Sequence, residues 1–294
     1  RLPLATIRQT RQAPSAFLLL AQSIKNLLAF ACENLADSPS ARFDAEILMA
    51  HVLESTRSFL YANPELELPA NRCKAFRKLV EQRVSGQPVA YLTESTEFWS
   101  LPLKVNADVL IPRPETELLV ETALGRIPKD VDWRIADLGT GSGAIALAIA
   151  SERRKCEIHA TDISSAALEV ARDNARNLGL AHIQFHCGSW STPLKGKFHL
   201  VLSNPPYIDG NDQHLVKGDL RFEPRGALTP GQNGLSAIRE ISHLARATLD
   251  AIAFQVRDVA DLMASEASVS LPALAVDGGA AASDALGEPE VVAL

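Results

Sequence analysis

The chain has 294 residues, with 29 Lys and Arg against 35 Asp and Glu, and its formal net charge is -6 at pH 7. This balance argues against a general nucleic-acid-binding protein, because phosphate contacts require a clustered basic surface. Hydrophobic residues make up 47% and charged residues 22% of the chain, so it is too apolar to be disordered and can bury a sizeable core. At roughly 100 to 200 residues per domain, this length predicts two domains or one large domain.

The cysteines and the apolar runs indicate the compartment. Cys32, Cys73, Cys156 and Cys187 lie far apart and form neither a CxxC pair nor a Cys/His metal-ligand spacing. This pattern favours a reducing, cytoplasmic compartment and a protein without a metal site. No apolar run approaches the roughly 18 residues of a membrane-spanning helix. We interpret residues 1–18 as an extension and assign them no function.

Residues 19–85 have the periodicity of a small helical domain. Apolar side chains such as Ile24, Leu27, Leu28 and Ala31 recur at the spacing of one helix face. Breaks rich in Pro and Asn divide this part into short helices; they lie at Asp37–Pro39, Asn63–Pro64 and Pro69–Asn71. Residues 86–110 are predicted to be a linker, in which the alternation from Phe98 to Val109 predicts a β-hairpin.

Beyond Pro128, strands alternate with helices, which predicts an α/β domain with a largely parallel sheet over residues 111–242. The predicted strands are Arg134–Leu138, Glu157–Thr161, His182–His186 and Phe198–Leu202, and the predicted helices are Ala144–Ser151 and Ser164–Leu178.

A glycine-rich turn, Asp137-Leu-Gly139-Thr-Gly141-Ser-Gly143, follows the first of these strands and opens a helix. Glycines allow positive φ and close backbone approach, and the helix start presents N–H groups, so the turn can cradle a nucleotide-like cofactor. Asp162 ends the second strand 23 residues after Gly139, where a carboxylate can accept hydrogen bonds from ribose hydroxyls. Two alternatives stay open: the dinucleotide pattern G-x-G-x-x-A ending at Ala144, and a plain βα turn with Asp162 as a helix N-cap.

A second motif, Ser203-Asn204-Pro205-Pro206-Tyr207, follows the strand Phe198–Leu202, at the carboxyl edge where open α/β sheets bind ligands. The two prolines remove both N–H donors, so the turn presents carbonyl acceptors on a stiff backbone. An amide nitrogen is a poor nucleophile because its lone pair is delocalised, and Asn204 Oδ1 and the Pro205 carbonyl can each engage one of its N–H groups. Tyr207 can stack on the planar amide and fix its tilt. Catalysis then depends on orientation and on fixed acceptors rather than on a titrating base. The alternative is a Pro-rich β-turn with an ordinary Asn cap.

Together these motifs resemble a class I S-adenosylmethionine-dependent methyltransferase. The chain is similar to the HemK/PrmC family, the N5-glutamine methyltransferases of peptide chain release factors, over residues 19–241. Longer strings carry this resemblance; they are Phe43–Glu46, Gly86–Leu92, Glu97–Trp99, Leu110–Glu117 and Gly218–Leu228.

The resemblance implies a Rossmann-like methyltransferase domain at residues 111–242, a helical domain that docks the substrate protein, S-adenosylmethionine as the cofactor and a release factor as the partner. In the cofactor site, Gly139, Thr140, Gly141, Ser142 and Gly143 hold the methionine part, Asp162 the ribose, and Trp190 lies beside the adenine. In the catalytic site, Asn204, Pro205, Pro206 and Tyr207 hold the substrate glutamine, and Asn204 also borders the cofactor. A core or surface aromatic is the alternative for Trp190.

Two features outside these sets bear on the resemblance. Ile111–Glu115 is expected to border the site, but a helix start with Pro and acidic residues explains it equally well, so we assign it no catalytic role. Glu94 stands where the family usually has Gly, which strains the linker if φ is positive there.

After Ile241 the resemblance ends. Residues 243–294 are an atypical segment joined near Ser242, of which about residues 243–286 resemble a C-terminal piece of the glycerol kinase family. Without the rest of that kinase we expect no phosphoryl transfer and interpret Asp277–Gly279 as a turn. A helix is predicted over Leu244–Ala264 and a strand over Ala273–Val276. Because the family's final strands are not recognisable, we expect an uncovered sheet edge and impaired activity.

The sequence therefore predicts methyl transfer to a glutamine side chain of a release factor, with no membrane and no direct nucleic-acid partner. Two alternatives remain open. An adenine-N6 DNA methyltransferase shares the Asn-Pro-Pro-Tyr chemistry, but a basic target-recognition region is not evident. A non-catalytic protein that binds a cofactor or a partner is the other.

Overall fold

The computed structural model describes residues 22–231, 234–241, 252–254 and 291–293. The chain divides into two compact units, Arg1–Thr93 and Glu94–Leu294. The boundary falls within the segment 86–110 that the sequence indicates as a linker. The extension assigned to residues 1–18, the strand predicted at Ala273–Val276 and the turn at Asp277–Gly279 lie outside the described residues.

The first unit is helical, with one short antiparallel strand pair. Its helices pack Ile24, Leu27, Leu28 and Ala31 into a common core, which confirms the helix face predicted from their spacing. The elements are β1 (Gln22–Ser23), α1 (Ile24–Asn34), α2 (Ala41–Leu53), α3 (Arg57–Ala62), β2 (Glu67–Leu68), α4 (Ala70–Val84) and α5 (Val89–Thr93).

The second unit is an α/β fold that begins with a hairpin. Its elements are β3 (Ser95–Phe98), β4 (Leu101–Lys104), α6 (Thr116–Arg126), β5 (Arg134–Leu138), α7 (Ala144–Glu152), β6 (Glu157–Asp162), α8 (Ser165–Asn177), β7 (Gln184–Cys187), β8 (Leu200–Ser203), α9 (Arg225–Leu228), β9 (Ile252–Phe254) and β10 (Val291–Ala293).

The main sheet has six strands in the order β10-β9-β8-β5-β6-β7, and every described pairing is parallel. The chain runs outward from β5 to β7 and then crosses back to β8 on the other side of β5. Open α/β sheets bind ligands at such a reversal of strand order. The fold therefore places a crevice at the carboxyl ends of β5 and β8.

Burial explains why these segments form the centre of the sheet. Ile135, Ala136 and Leu138 of β5 are all at most 2% exposed, since the strand has neighbours on both faces. Helix α7 is buried along its whole apolar stretch, Ala144–Ala150, as expected of a helix that is apolar on every side.

Several predicted boundaries differ from the structure. The hairpin lies at Ser95–Lys104 rather than Phe98–Val109, because Trp99 and Ser100 form its turn with positive φ. Strands β7 and β8 each begin two residues later than predicted. By contrast, β5 has the predicted bounds, and α8 lacks only its two predicted end residues, which serve as its caps.

The prediction of a helix over Leu244–Ala264 is wrong at its centre, because Ile252–Phe254 forms β9 and pairs with β8. The expectation of an uncovered sheet edge is wrong at β8. Ile252 of β9 pairs with Val201 of β8 in parallel orientation, and β10 pairs in turn with β9. No helix in the described part of the chain is both long and apolar enough to cross a membrane.

Candidate active site

Three loops of the second unit leave the sheet at one edge. Leu138 at the end of β5 pairs with Thr161 on one side and with Ser203 on the other. Ser203 also donates a hydrogen bond from Oγ to the Leu138 carbonyl at 2.7 Å. Since paired strands lie about 4.8 Å apart, the residues that follow them, including Gly139 and Asn204, begin side by side. The two motifs predicted to form one site are thus brought together.

The glycine turn needs its glycines for two physical reasons. Gly139 and Gly143 have φ of 72° and 86°, a region that L side chains rarely adopt. A Cβ on Gly143 would lie 3.2 Å from the Cβ of Ala171, so Gly143 also lets α7 and α8 approach closely. The N–H groups of Gly139 and Thr140 both donate to the Thr161 carbonyl, at 2.9 and 2.8 Å. The turn is therefore held to β6 as well as to β5.

Asp162 stabilises the loops that follow β5 and β6. Its Oδ2 accepts the Gly141 N–H at 2.9 Å, and its Oδ1 accepts the Ser164 N–H at 2.9 Å. The N-cap of α8 is Ser164, whose side chain accepts the Ala167 N–H, so the alternative of Asp162 as that cap is wrong in position. A carboxylate can accept about four hydrogen bonds, which leaves capacity for a ligand.

Asp137, the first residue of the glycine-rich turn, is a buried carboxyl group to which the sequence alone assigns no separate role. It accepts hydrogen bonds at Oδ2 from Thr140 Oγ1 at 2.6 Å and from the Ala146 N–H at 3.2 Å, while its buried Oδ1 has no partner among the described residues. Burial raises its pKa to about 7, against the lowering effect of these two donors, and the charge of Asp162 raises the pKa further. Burial thus favours the neutral form of the Asp137 carboxyl.

Trp190 is half-buried beside the glycine turn. Its φ of 45° is unusual for a bulky residue. A Cβ added to Gly139 would lie 3.3 Å from Trp190 Cζ3, and the ring also packs against the cluster that contains Ala136 and Leu138. Trp190 therefore combines a packing role with a position at the rim of the turn.

The Asn-Pro-Pro-Tyr corner is fixed from two directions. Asn204 Nδ2 donates to Thr116 Oγ1 at 3.1 Å, and Pro205 is buried while Pro206 and Tyr207 are half-buried. The Ile208 N–H, just after the corner, donates to the Leu228 carbonyl at 3.0 Å. With Nδ2 occupied, the Asn204 carboxamide presents Oδ1 as its acceptor.

The segment that borders this corner is held by Glu223, whose side chain is fully buried. Glu223 accepts from Arg113 Nη2 at 2.6 Å and from the Ile111 N–H at 3.1 Å. The start of α6 therefore bonds both to the corner, through Thr116, and to the loop that follows it. Among the described residues, no group of His, Cys, Asp and Glu side chains could hold a metal ion.

Comparison with known proteins identifies the family. The chain matches the PrmC N-terminal domain at residues 26–93 and the methyltransferase small domain at residues 114–231. A release factor glutamine methyltransferase of Coxiella burnetii is 49% identical over 213 residues, which covers 72% of this chain and 76% of that protein. This chain belongs to the release factor glutamine methyltransferases. Another member, from Xylella fastidiosa strain Temecula1, is 50% identical over 214 residues, 72% of this chain and 76% of that protein.

Membership of the release factor glutamine methyltransferases confirms the resemblance and the methyltransferase fold, and it does not favour an adenine-N6 DNA methyltransferase. Neither family match reaches residues 243–294, so the likeness of that segment to a glycerol kinase stays a prediction. Among solved structures, a methyltransferase from Pyrococcus furiosus is 15% identical, with a TM-score of 0.40 over 56% of this chain and 75% of that chain.

Three side chains of this release factor glutamine methyltransferase site escaped the sequence argument. Asn174 on α8 is buried and joins two elements: it accepts the Lys104 N–H at 2.7 Å, and its Nδ2 donates to the carbonyls of Lys104 and Ser142 at 3.0 and 2.9 Å. Thr116 and Glu223 are the other two. Both lie in strings that carried the resemblance, which is a signal that could have found them; Asn174 lies in an ordinary amphipathic helix and gave none.

Proposed function

We propose that this protein transfers a methyl group from S-adenosylmethionine to the side-chain nitrogen of a glutamine in a peptide chain release factor. The observation that carries the proposal is the pairing of Leu138 with Ser203, because it starts the glycine turn and the Asn-Pro-Pro-Tyr corner side by side. The names of the relatives, release factor glutamine methyltransferases, support the substrate.

The residues at the sheet edge fit this cofactor. Gly139 is exposed, and any side chain there would crowd the Trp190 ring, so the space beside the ring stays open to a flat group. We assign the methionine part to Gly139–Gly143, the ribose to Asp162 and the adenine to Trp190. Ile163, which is 77% exposed next to Asp162, adds an apolar surface for the adenine.

When bound, the cofactor supplies an electrophilic methyl group on a positively charged sulfur. The protein's task is to present the amide nitrogen. Asn204 Oδ1 and the Pro205 carbonyl each accept one N–H of the substrate amide, so that its lone pair turns away from the carbonyl, and Tyr207 stacks on the amide plane. As the amide nitrogen bonds to the methyl carbon, the bond from that carbon to sulfur would break with its electron pair on sulfur, and one N–H proton would pass to solvent water. The rate gain comes from orientation and from fixed acceptors.

We assign docking of the release factor to the helical unit, which matches the PrmC N-terminal domain at residues 26–93. In this assignment, residues 19–85 dock the protein substrate, residues 86–110 link the two functions and residues 111–242 carry out methyl transfer. A release factor acts in translation, so the protein would work in the cytoplasm.

The decisive experiment uses S-adenosylmethionine labelled on its methyl group. The full chain is incubated separately with a release factor, with the same factor carrying Ala in place of each exposed glutamine in turn, and with duplex DNA. We expect label on one glutamine of the factor and none on DNA. Label on DNA would favour the adenine methyltransferase, and cofactor binding without transfer to either substrate would favour a non-catalytic protein.

A further inference from the structure

Thr116 is the described side chain that holds the carboxamide of Asn204. It is the first residue of α6 and is 5% exposed, and its Oγ1 lies 3.1 Å from Asn204 Nδ2 across 88 residues of sequence. The terminal torsion of Asn is broad and roughly two-fold, so an Asn side chain without such a bond samples several orientations. A buried hydroxyl at this distance restricts the carboxamide to one plane.

The restriction matters because the two ends of a carboxamide have opposite hydrogen-bonding character. If Nδ2 faced the substrate amide, two donors would meet and neither N–H of the substrate would be engaged there. Because a hydroxyl both donates and accepts, the bond to Thr116 fixes the plane of the Asn204 carboxamide but not which of its two ends faces the substrate. The substrate amide nitrogen offers only donors at this position and therefore selects the orientation with Oδ1 toward it.

Thr116 is itself held in place without any ligand. Its N–H donates to the Arg113 carbonyl at 3.0 Å, and Arg113 bonds to the fully buried side chain of Glu223. The next residue, Glu117, accepts the Trp99 N–H at 2.7 Å. The first turn of α6 is thus tied to the hairpin on one side and to the loop after the corner on the other.

We propose that Thr116 is a positioning residue that acts through Asn204, holding its carboxamide in the plane in which Oδ1 can accept the substrate amide N–H, an inference that rests on the proposed function. The test compares Thr116→Val, which removes the acceptor at nearly constant volume, with Thr116→Ser, which keeps it. Thr122→Val is the matched control, because Thr122 lies on the same helix and its Oγ1 donates to the Leu118 carbonyl.

We expect Thr116→Val to lower kcat for methylation of the release factor by about 10-fold to 100-fold. The Kd for S-adenosylmethionine, measured by calorimetry, should stay within about two-fold of wild type. Thr116→Ser should restore most of the activity, and Thr122→Val should match wild type. Should Thr116→Val fail to fold, Thr116→Cys takes its place, since a thiol is a weaker acceptor and should give activity below Thr116→Ser.

A double-mutant cycle separates this role from direct contact with the reactants. In an Asn204→Ala background, followed by single-turnover label transfer, Thr116→Val should cause no further loss. Independent, multiplicative losses would overturn the proposal, and so would wild-type kcat in Thr116→Val or failure of Thr116→Ser to restore activity. Failure of the proposed function is a distinct result, because it appears as absence of transfer by the wild-type chain itself.

Discussion

In the proposed mechanism, Asn204 acts by accepting a hydrogen bond rather than by holding a proton at a particular pKa. Its Nδ2 bonds to Thr116, and Oδ1 is the atom assigned to the substrate. In the same corner, Pro205 adds a backbone carbonyl and Tyr207 adds an aromatic face. This arrangement predicts that one side chain controls transfer without controlling cofactor binding.

We therefore expect Asn204→Ala to reduce methyl transfer by at least about 100-fold, because one of the two fixed acceptors is lost. Cofactor affinity should largely persist, since the glycine turn and Asp162 are unchanged. The measurements are label transfer and calorimetric cofactor binding, with Asn211→Ala on the exposed loop as the matched control. Turnover equal to wild type in Asn204→Ala would refute the amide-positioning mechanism.

Asp137 makes stability depend on pH. An unfolded Asp titrates near 3.8, whereas burial raises the pKa of Asp137 to about 7 in the folded protein. The folded state thus favours the protonated form. Its stabilising contribution is fully present below about pH 4 and is lost as the pH rises toward 7.

Asp137→Asn keeps the shape of the side chain and removes this titration. Between pH 5 and pH 8 the free energy of unfolding of wild type should fall relative to the variant by up to about 3 kcal/mol. Urea unfolding at both pH values measures the difference, and Asp130→Asn, on the exposed surface, is the matched substitution. Parallel pH dependence of wild type and Asp137→Asn would contradict the assignment.

Glu94 has a φ of 53°, which meets the condition under which this departure from the family is expected to strain the linker. Such a conformation costs an L residue about 1–2 kcal/mol. Gly avoids this cost, but its larger entropy in the unfolded chain offsets part of the gain. Glu94→Gly should therefore raise the free energy of unfolding by about 0.5–1 kcal/mol in urea titrations. Glu97→Gly, within β3, should lower it instead; a decrease for both variants would show that φ at position 94 carries no strain.

At the scale of elements, Asn174 joins the hairpin, α8 and the glycine turn through three hydrogen bonds, one buried and two partly buried. Asn174→Ala leaves these backbone groups without partners, so we expect the free energy of unfolding to fall by about 2–4 kcal/mol. Cofactor affinity should fall as well, because Ser142 belongs to the turn. Asn177→Ala, exposed at the end of the same helix, is the control; equal stability of both variants would contradict this role.

Local signals were enough for the elements that bear the site. The Gly-rich turn, the acid after β6 and the Asn-Pro-Pro corner each follow a strand, and the strands are short apolar runs. The hairpin was misplaced because neither Trp99 nor Ser100 is a turn-forming residue that marks positive φ. The bonds of Thr116 and Glu223 span 88 and 110 residues, and no local pattern encodes such pairings.

At the scale of the whole molecule, the C-terminal strands decide whether the sheet is complete. The sequence alone does not identify β9 as a strand, because its three residues form a strand only by pairing with the edge of β8. Deletion of residues 243–294 should expose that edge, lower the Tm and increase light scattering on heating. Deletion of residues 287–294 removes only β10 and should cause a smaller loss. Equal melting of all three chains would contradict a stabilising role for β9.

A chain whose residues 243–294 are replaced by the C-terminal segment of a relative tests the expected impairment directly. We expect the exchanged chain to melt at a higher temperature and to turn over faster, since among the described residues β9 pairs with β8 only at Ile252 and Val201, and a longer strand would satisfy more of the backbone groups of β8. Equal melting temperatures and equal activity would contradict the impairment.

The bond between Ser203 and Leu138 has a mechanical consequence. In the proposed function, the glycine turn holds the methyl donor and the Asn-Pro-Pro-Tyr corner holds the acceptor, and both loops start at this one bonded pair, so we expect them to move together. Segments 111–116 and 225–231 are bonded to the same part of the structure, through Glu223, Asn204 and Ile208, so an opening that admits a bulky protein must break those bonds.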